Sequence, residues 1–122
     1  MSLRIGVLGG GQLGRMMALA GYPLNLSFAF FDKAVDCPSA ALGPRFGDDD
    51  YSDASLQAFI DSADVFTYEF ENIPTRWVEA IAARKPVYPG VKSLAVSQNR
   101  INEKKLFAAL NIPSARFHEI RS

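Results

Sequence analysis

The sequence predicts an α/β fold: a Rossmann-like parallel sheet of about five strands with helices on both faces. Three observations support this prediction. Apolar segments typical of strands alternate about four times with segments of helical periodicity. A glycine-rich turn joins the first predicted strand to the first predicted helix, as in nucleotide-binding βαβ units. The length of 122 residues and an apolar fraction of 48% suit one globular domain with a single core.

The first predicted unit consists of two strands with a helix between them. Residues 4–9 form a buried apolar strand, and residues 12–21 carry apolar side chains at helical spacing. Gly21 is a suitable helix end, and Pro23 cannot continue the helix. Residues 26–32 form a second strand, which is rich in phenylalanine and ends on a carboxylate.

The second half of the chain repeats the strand–helix pattern. Ser52 or Asp53 is predicted to cap a helix, and Pro74 lies near the start of another, where proline is tolerated. Valine, phenylalanine, threonine and tyrosine favour a strand just before the second of these helices. The predicted elements are a very short strand at 46–47, a helix at 53–62, a strand at 64–68, a helix after Pro74, a fifth strand at 86–88, and helices at 91–98 and 101–110.

The glycine-rich turn matches a dinucleotide fingerprint. Gly9, Gly11 and Gly14 fit G-x-G-x-x-G, and Asp32 follows roughly 20 residues later. Backbone N–H groups and the dipole of the following helix favour an anionic group at such a turn. The turn is therefore predicted to be open to an anionic ligand.

Ligand-binding residues are expected at the carboxyl ends of the strands, as in other open parallel sheets. Gln12 and Leu13 occupy the first helical positions, where side chains and backbone N–H groups can both contact a ligand. Glu69 and Glu71 share one face if their strand continues, and ionised carboxylates accept hydrogen bonds from sugar hydroxyls. The alternative is that one of these glutamates, or Asn72, only caps the next helix.

Arg100 is the candidate for binding phosphate. It lies at a predicted junction between two helices, where the guanidinium group has donors suited to phosphate oxygens. The charged residues around it are otherwise typical of a solvated helix face.

Composition and single residues exclude several classes of function. Thirteen basic and thirteen acidic residues cancel, so no overall charge favours nucleic acid or an anionic membrane. No apolar run reaches the roughly 20 residues of a membrane span, and no signal peptide is evident, so a cytoplasmic protein is expected. Cys37 is the single cysteine, so these residues have no disulfide framework and no cysteine-pair metal site. The run Asp48–Asp50 is predicted to be a solvated loop rather than a metal site.

Several motifs together resemble the N-terminal domain of the N5-carboxyaminoimidazole ribonucleotide synthetases, enzymes of the ATP-grasp superfamily. The motifs are GVLGGGQLGRM at 6–16, Cys37-Pro38, DVFTYEFENIP at 64–74, Arg100 with Glu103-Lys104, and Asn111-Ile112-Pro113. The resemblance implies a preATP-grasp, substrate-binding domain over residues 1–112. Residues 113–122 are then a linker or the first strand of an ATP-grasp domain.

The resemblance also implies an activity and its residues. The family joins bicarbonate to the amine of 5-aminoimidazole ribonucleotide, using ATP and Mg²⁺, and its members are expected to be homodimers. Gly11, Gln12 and Leu13 match substrate-binding positions, and Glu69 matches a glutamate that contacts the ribose. Arg100 matches an arginine that contacts ATP phosphates. The resemblance places no catalytic residue and no metal ligand in these 122 residues, so the chain is expected to be inactive by itself.

Two other functions remain as alternatives. The glycine pattern and Asp32 fit the NAD-binding domain of a dehydrogenase. A non-catalytic nucleotide-binding or interaction module is the third possibility. The dehydrogenase alternative leaves Glu69, Glu71 and Arg100 without a role, whereas the ligase assigns Glu69 and Arg100.

Overall fold

The computed structural model describes residues 2–121 and contains a four-stranded parallel sheet. Its strands are β1 (Arg4–Leu8), β2 (Ser27–Phe31), β3 (Arg45–Phe46) and β4 (Val65–Tyr68). They lie in the order β3-β2-β1-β4, and every pairing is parallel. The predicted α/β fold with a parallel sheet is confirmed.

The fifth strand predicted at 86–88 is reduced to one β-bridge. Val87 lies parallel to Phe66, whose N–H donates to Pro86 O at 2.9 Å and whose carbonyl accepts from Tyr88 N at 2.9 Å. Pro86 and Pro89 have no N–H to donate, so a longer ladder cannot form here. The described sheet therefore has four strands and an added bridge.

Helices cover both faces of the sheet, as predicted. Ala18 packs on one face with Val7, Phe28 and Phe30. The opposite face packs against a larger apolar cluster that contains side chains of three other helices. The helices are α1 (Gln12–Gly21), α2 (Asp53–Ser62), α3 (Thr75–Ala82), α4 (Val91–Ser97) and α5 (Arg100–Ala109), with a turn of 3₁₀ helix at Tyr22–Leu24.

The phenylalanine-rich strand β2 supplies both halves of the core. Phe28 and Phe30 stack on the α1 side with ring centroids 6.3 Å apart. Phe31 points to the other face and contacts Phe59 and Trp77, with centroids 5.2 and 5.1 Å away. Each fully buried phenylalanine contributes about 1.5–3 kcal/mol to folding. These contacts fix the central strands β1 and β2, and with them the positions of the residues at the carboxyl ends of both strands.

The chain beyond α5 lacks regular structure. Residues 113–121 form neither helix nor strand and are exposed, and Ser122 lies outside the described residues. The boundary between a domain at 1–112 and a linker or strand at 113–122 stays a prediction. None of the helices in residues 2–121 is both long enough and apolar enough to cross a membrane.

Candidate functional site

The glycine turn between β1 and α1 has a backbone that only glycine adopts easily. Gly9 has a φ of +106°, and its N–H donates to Phe31 O at 3.0 Å. A Cβ atom at Gly9 would lie 2.6 Å from Glu69 Oε1, and one at Gly11 would lie 2.7 Å from the same atom. The glycines therefore make room for the Glu69 side chain.

Glu69 occupies the N-terminus of α1 with both carboxylate oxygens. Oε1 accepts the N–H of Gly11 at 2.9 Å, and Oε2 accepts the N–H of Gly14 at 2.7 Å. A carboxylate at this end of a helix is stabilised by the free N–H groups and by the helix dipole. The prediction that the turn is open to an anionic ligand is wrong at these two amides, because the protein's own carboxylate already binds them.

Asp32 fixes the other side of the turn. Its Oδ2 accepts the N–H of Gly10 at 2.9 Å, and its Oδ1 accepts the N–H of Ala34 at 2.9 Å. In a dinucleotide site this carboxylate would bind the ribose hydroxyl of the cofactor. Here it holds the backbone instead, and no observation favours the dehydrogenase alternative.

Ser39 and Cys37 form the wall behind Gly10, a contact that sequence reasoning missed. The backbone N and the hydroxyl of Ser39 both donate to Gly10 O, at 3.0 and 2.9 Å, and Ser39 is fully buried. A Cβ at Gly10 would lie 2.7 Å from Cys37 Sγ. The Cys37-Pro38 motif was the available signal, but nothing local in the sequence connects it to Gly10.

Gln12 and Leu13 remain accessible beside this turn. Both are exposed, and in residues 2–121 neither backbone N–H has a protein acceptor. Glu69 is half-buried and borders the same space. A cavity of about 490 Å³ opens there, lined by Leu13, Met16, Met17, Ala20, Tyr68 and Glu69. The structure thus brings together the predicted residues Gly11, Gln12, Leu13 and Glu69.

Tyr68, the last residue of β4, precedes Glu69, and its side chain packs against the larger apolar cluster on the face opposite α1. It is partly buried, and this burial raises the pKa of its phenol above the ordinary value of 10.0. Tyr68 is therefore protonated at neutral pH. The cavity presents the two carboxylate oxygens of Glu69 and the apolar side chains of α1 to a ligand.

Glu71 lines a neighbouring cleft together with Glu69. Strand β4 ends at Tyr68, so the period-two alternation expected for the two glutamates does not extend this far. Both still border one cleft of about 400 Å³, which Glu103 also lines. The two glutamates therefore share a surface, although Glu69 alone contacts the glycine turn in the described chain.

Arg100 begins α5 at the far wall of the site. Its Nη1 lies 2.7 Å from Glu103 Oε1, and its side chain is 71% exposed. It borders a larger cleft of about 770 Å³, whose other lining residues are Glu71, Asn72, Ile73, Pro74, Ser97 and Gln98. A guanidinium group at the edge of this cleft can contact phosphate if it shares or leaves its pairing with Glu103.

The described residues do not form a metal cage. Within residues 2–121, no group of three or more histidine, cysteine or acidic side chains is placed to hold a metal ion.

The fold and the glycine turn define a class of protein, a Rossmann-like α/β domain in which a carboxylate binds the N-terminus of the first helix. Residues 2–98 match the family model described as the ribonucleotide synthetase preATP-grasp domain. The chain belongs to this family.

Relatives with known names are similar over nearly the whole chain. The N5-carboxyaminoimidazole ribonucleotide synthase of Pseudomonas aeruginosa is 42% identical over 98% of this chain and 33% of its own length. The crystal structure of the Thermus thermophilus synthetase superposes with a TM-score of 0.84 at 43% identity, covering 90% of this chain and 31% of that one.

A third comparison includes bound ligands. The Aspergillus clavatus synthase in complex with ADP and 5-aminoimidazole ribonucleotide has a TM-score of 0.82 at 28% identity, over 94% of this chain and 31% of that one. The present chain thus spans about a third of the length of these three relatives.

Proposed function

We propose that this chain is the ribonucleotide-binding part of an ATP-dependent ligase that acts in purine biosynthesis. The reaction joins bicarbonate to the amine of 5-aminoimidazole ribonucleotide and gives N5-carboxyaminoimidazole ribonucleotide, while ATP is cleaved to ADP and phosphate, which carries away the oxygen that bicarbonate loses. The observation that carries the proposal is the Glu69 carboxylate, held at the glycine turn beside the free amides of Gln12 and Leu13. The names of its relatives and the ligands of the Aspergillus protein support it.

Glu69 is proposed to bind the ribose. Each carboxylate oxygen has two lone-pair sites, and a backbone N–H uses one on each oxygen. The remaining sites accept hydroxyl donors, and they border the cavity that Leu13 lines. Because Gly11 and Gly14 fix the carboxylate before the ligand arrives, little conformational entropy is lost on binding.

The turn selects the hydroxyl-bearing side of a ribonucleotide over its phosphate. The carboxylates of Glu69 and Asp32 hold the amides that a phosphate would otherwise bind. A phosphate placed here would meet two negative charges at short range. Gln12 and Leu13 then contact the part of the ligand next to the ribose.

Arg100 is proposed to contact ATP phosphates from the edge of the large cleft. Carboxylation also needs a metal-bound ATP beside a positioned amine, and this part of the chain holds only one wall of such a site. We therefore propose that Mg²⁺ and most ATP ligands lie in the part of the relatives that the chain does not match. A homodimer and a cytoplasmic location are proposed on the same family resemblance.

A titration of the purified chain tests the binding proposal. Amide resonances of Gln12, Leu13 and Gly14 are followed by NMR while 5-aminoimidazole ribonucleotide, ADP or NAD is added. We expect the aminoimidazole ribonucleotide to shift these resonances and Glu69→Gln to weaken that binding at least several-fold. Glu79→Gln is the matched control, because Glu79 is exposed on α3.

Two results would overturn the proposal. One is saturable NAD binding at micromolar concentration with no response to the aminoimidazole ribonucleotide. The other is equal binding by the wild-type chain and Glu69→Gln. Separately, phosphate release that depends on both ATP and the ribonucleotide would show that the chain is active alone, contrary to our expectation.

A further inference from the structure

The side-chain amide of Gln98, which lies between α4 and α5, binds the segment that follows Glu69. Its Nε2 donates to Glu71 O at 2.9 Å and to Ile73 O at 2.5 Å. Both amide hydrogens are therefore used on one short segment, residues 70–73, which follows Glu69 directly.

This segment has no other hydrogen bond to hold it in the described chain. The bond from Glu69 N to Leu8 O at 3.3 Å lies before it, and the bond from Trp77 N to Pro74 O at 3.1 Å lies after it. Between them, residues 70–73 form hydrogen bonds only with Gln98 in the part of the chain that the structure describes. Ile73 is buried at 5% exposure, which anchors the far end by packing.

The backbone of Gln98 is also held in place. The backbone N of Gln98 donates to Leu94 O at 3.1 Å, and Leu94 is fully buried. Two residues later, Arg100 begins α5, with the Asn99 side chain capping the helix. Gln98 thus connects the segment after β4 to the junction between α4 and α5.

A glutamine suits this position because of its chemistry. Its neutral amide offers two N–H donors on one atom, which match two carbonyl acceptors. A glutamate would place negative oxygens against the same carbonyls, and an apolar side chain would leave them to water. Both carbonyls lie in the segment that follows Glu69. The Gln98 amide therefore fixes the backbone next to Glu69.

We propose that Gln98 is a positioning residue that sets the separation between Glu69 and Arg100, and hence between the bound ribonucleotide and the ATP phosphates. The roles of Glu69 and Arg100 in this statement rest on the proposed function. The positioning itself rests on the two hydrogen bonds and the two buried anchors.

The first test does not need a ligand. Spin labels are placed through unnatural amino acids at the exposed positions 70 and 102, so that Cys37 is left unchanged, and their distance distribution is measured by electron paramagnetic resonance. We expect Gln98→Met, which keeps the side-chain length, and Gln98→Glu each to broaden the distribution by at least twofold. Gln57→Met is the control, since Gln57 is an exposed glutamine of α2 whose side-chain oxygen accepts a hydrogen bond from Arg84 and lies outside the site. An unchanged distribution in both Gln98 variants would overturn the proposal.

The second test uses the ligand and separates the two proposals. We expect Gln98→Met to weaken binding of 5-aminoimidazole ribonucleotide three- to tenfold, while Gln57→Met binds like the wild type. If the wild-type chain binds and Gln98→Met binds equally well, the positioning role is contradicted. If the wild-type chain does not bind, the proposed function fails, and the distance measurement alone decides the role of Gln98.

Discussion

The carboxylate of Glu69 accepts the backbone N–H of Gly14 at 2.7 Å, although 55 positions separate the two residues in the sequence. The second oxygen accepts Gly11 N at 2.9 Å, so the side chain occupies two of the amides at the helix end where a phosphate lies in dinucleotide sites. The same glycine pattern can thus bind a phosphate of a ligand or, as here, a carboxylate of the protein itself. In this chain the carboxylate of Glu69 places negative charge at the turn.

Replacing Glu69 with glutamine is expected to lower stability as well as ligand affinity. Glutamine has the same shape but one acceptor oxygen, so the N–H of Gly11 or Gly14 loses its partner and meets an NH₂ group. Loss of one charge-assisted hydrogen bond at a partly buried site costs about 1–3 kcal/mol. Chemical denaturation measures the free energy of unfolding.

The matched control for that experiment is Glu71→Gln. Glu71 is exposed, and its side chain makes no hydrogen bond among residues 2–121. We expect its free energy of unfolding to stay within about 0.5 kcal/mol of the wild type. Equal losses in the two variants would show that Glu69 does not stabilise the turn.

Gly9→Ala is expected to be among the most destabilising small substitutions. The added Cβ meets Glu69 Oε1 at 2.6 Å, and the φ of +106° is strained for any residue with a side chain. We expect a loss of about 1–3 kcal/mol in thermal or denaturant unfolding. Gly90→Ala, where the new Cβ meets nothing within 4 Å and the φ is −75°, is expected to cost less. A larger loss at Gly90 would contradict this account of the turn.

The core was predictable from the sequence because its signals are local. Alternation in β2 separates Phe28 and Phe30 from Phe31, and the structure packs them on opposite faces. The partner of Glu69 was not predictable in this way. It depends on the pairing of β1 with β4, in which Leu8 lies opposite Tyr68, and no local pattern encodes that register.

Proline chemistry explains why the fifth strand was predicted too long. The apolar residues around Val87 favour a strand, but the bridge to Phe66 does not extend into one. The sequence contained the limiting signal in Pro86 and Pro89, since neither has an N–H for a ladder. The strand propensity of these residues predicted the position of the fifth strand but not its length.

Asp48 is expected to make the start of α2 sensitive to acid. Hydrogen bonds from the Ser52 hydroxyl and the Ser52 backbone N–H hold the pKa of Asp48 below its ordinary value of 3.8. A carboxyl group with a lowered pKa stabilises the folded state above its ordinary pKa. That stability is lost as the pH falls through the lowered value.

Titration of the Asp48 carboxyl carbon by NMR checks this expectation. In Ser52→Ala the pKa of Asp48 should rise toward the ordinary value, because the hydroxyl donor is gone while the backbone N–H remains. Ser62→Ala is a suitable control, since the Ser62 hydroxyl donates to Phe59 O at the other end of the same helix. If the pKa of Asp48 is unchanged in Ser52→Ala, the Ser52 hydroxyl is not what lowers it.

Asn99→Ala is expected to loosen the helix that carries Arg100. The Asn99 side-chain oxygen accepts the N–H groups of Ile101 and Asn102 at 3.0 and 3.1 Å, which makes it the cap of α5. Loss of such a cap costs about 1 kcal/mol of helix stability. Since α5 has no fully buried residue, little packing offsets that loss, and the helix should fray locally while the sheet stays folded.

Hydrogen exchange should therefore accelerate at Glu103 and at the following amides of α5 but not at β1. Asn102→Ala is the control, because Asn102 is exposed inside the same helix and caps nothing in the described chain. Equal exchange in the two variants would mean that α5 is held by packing against α4 rather than by its cap.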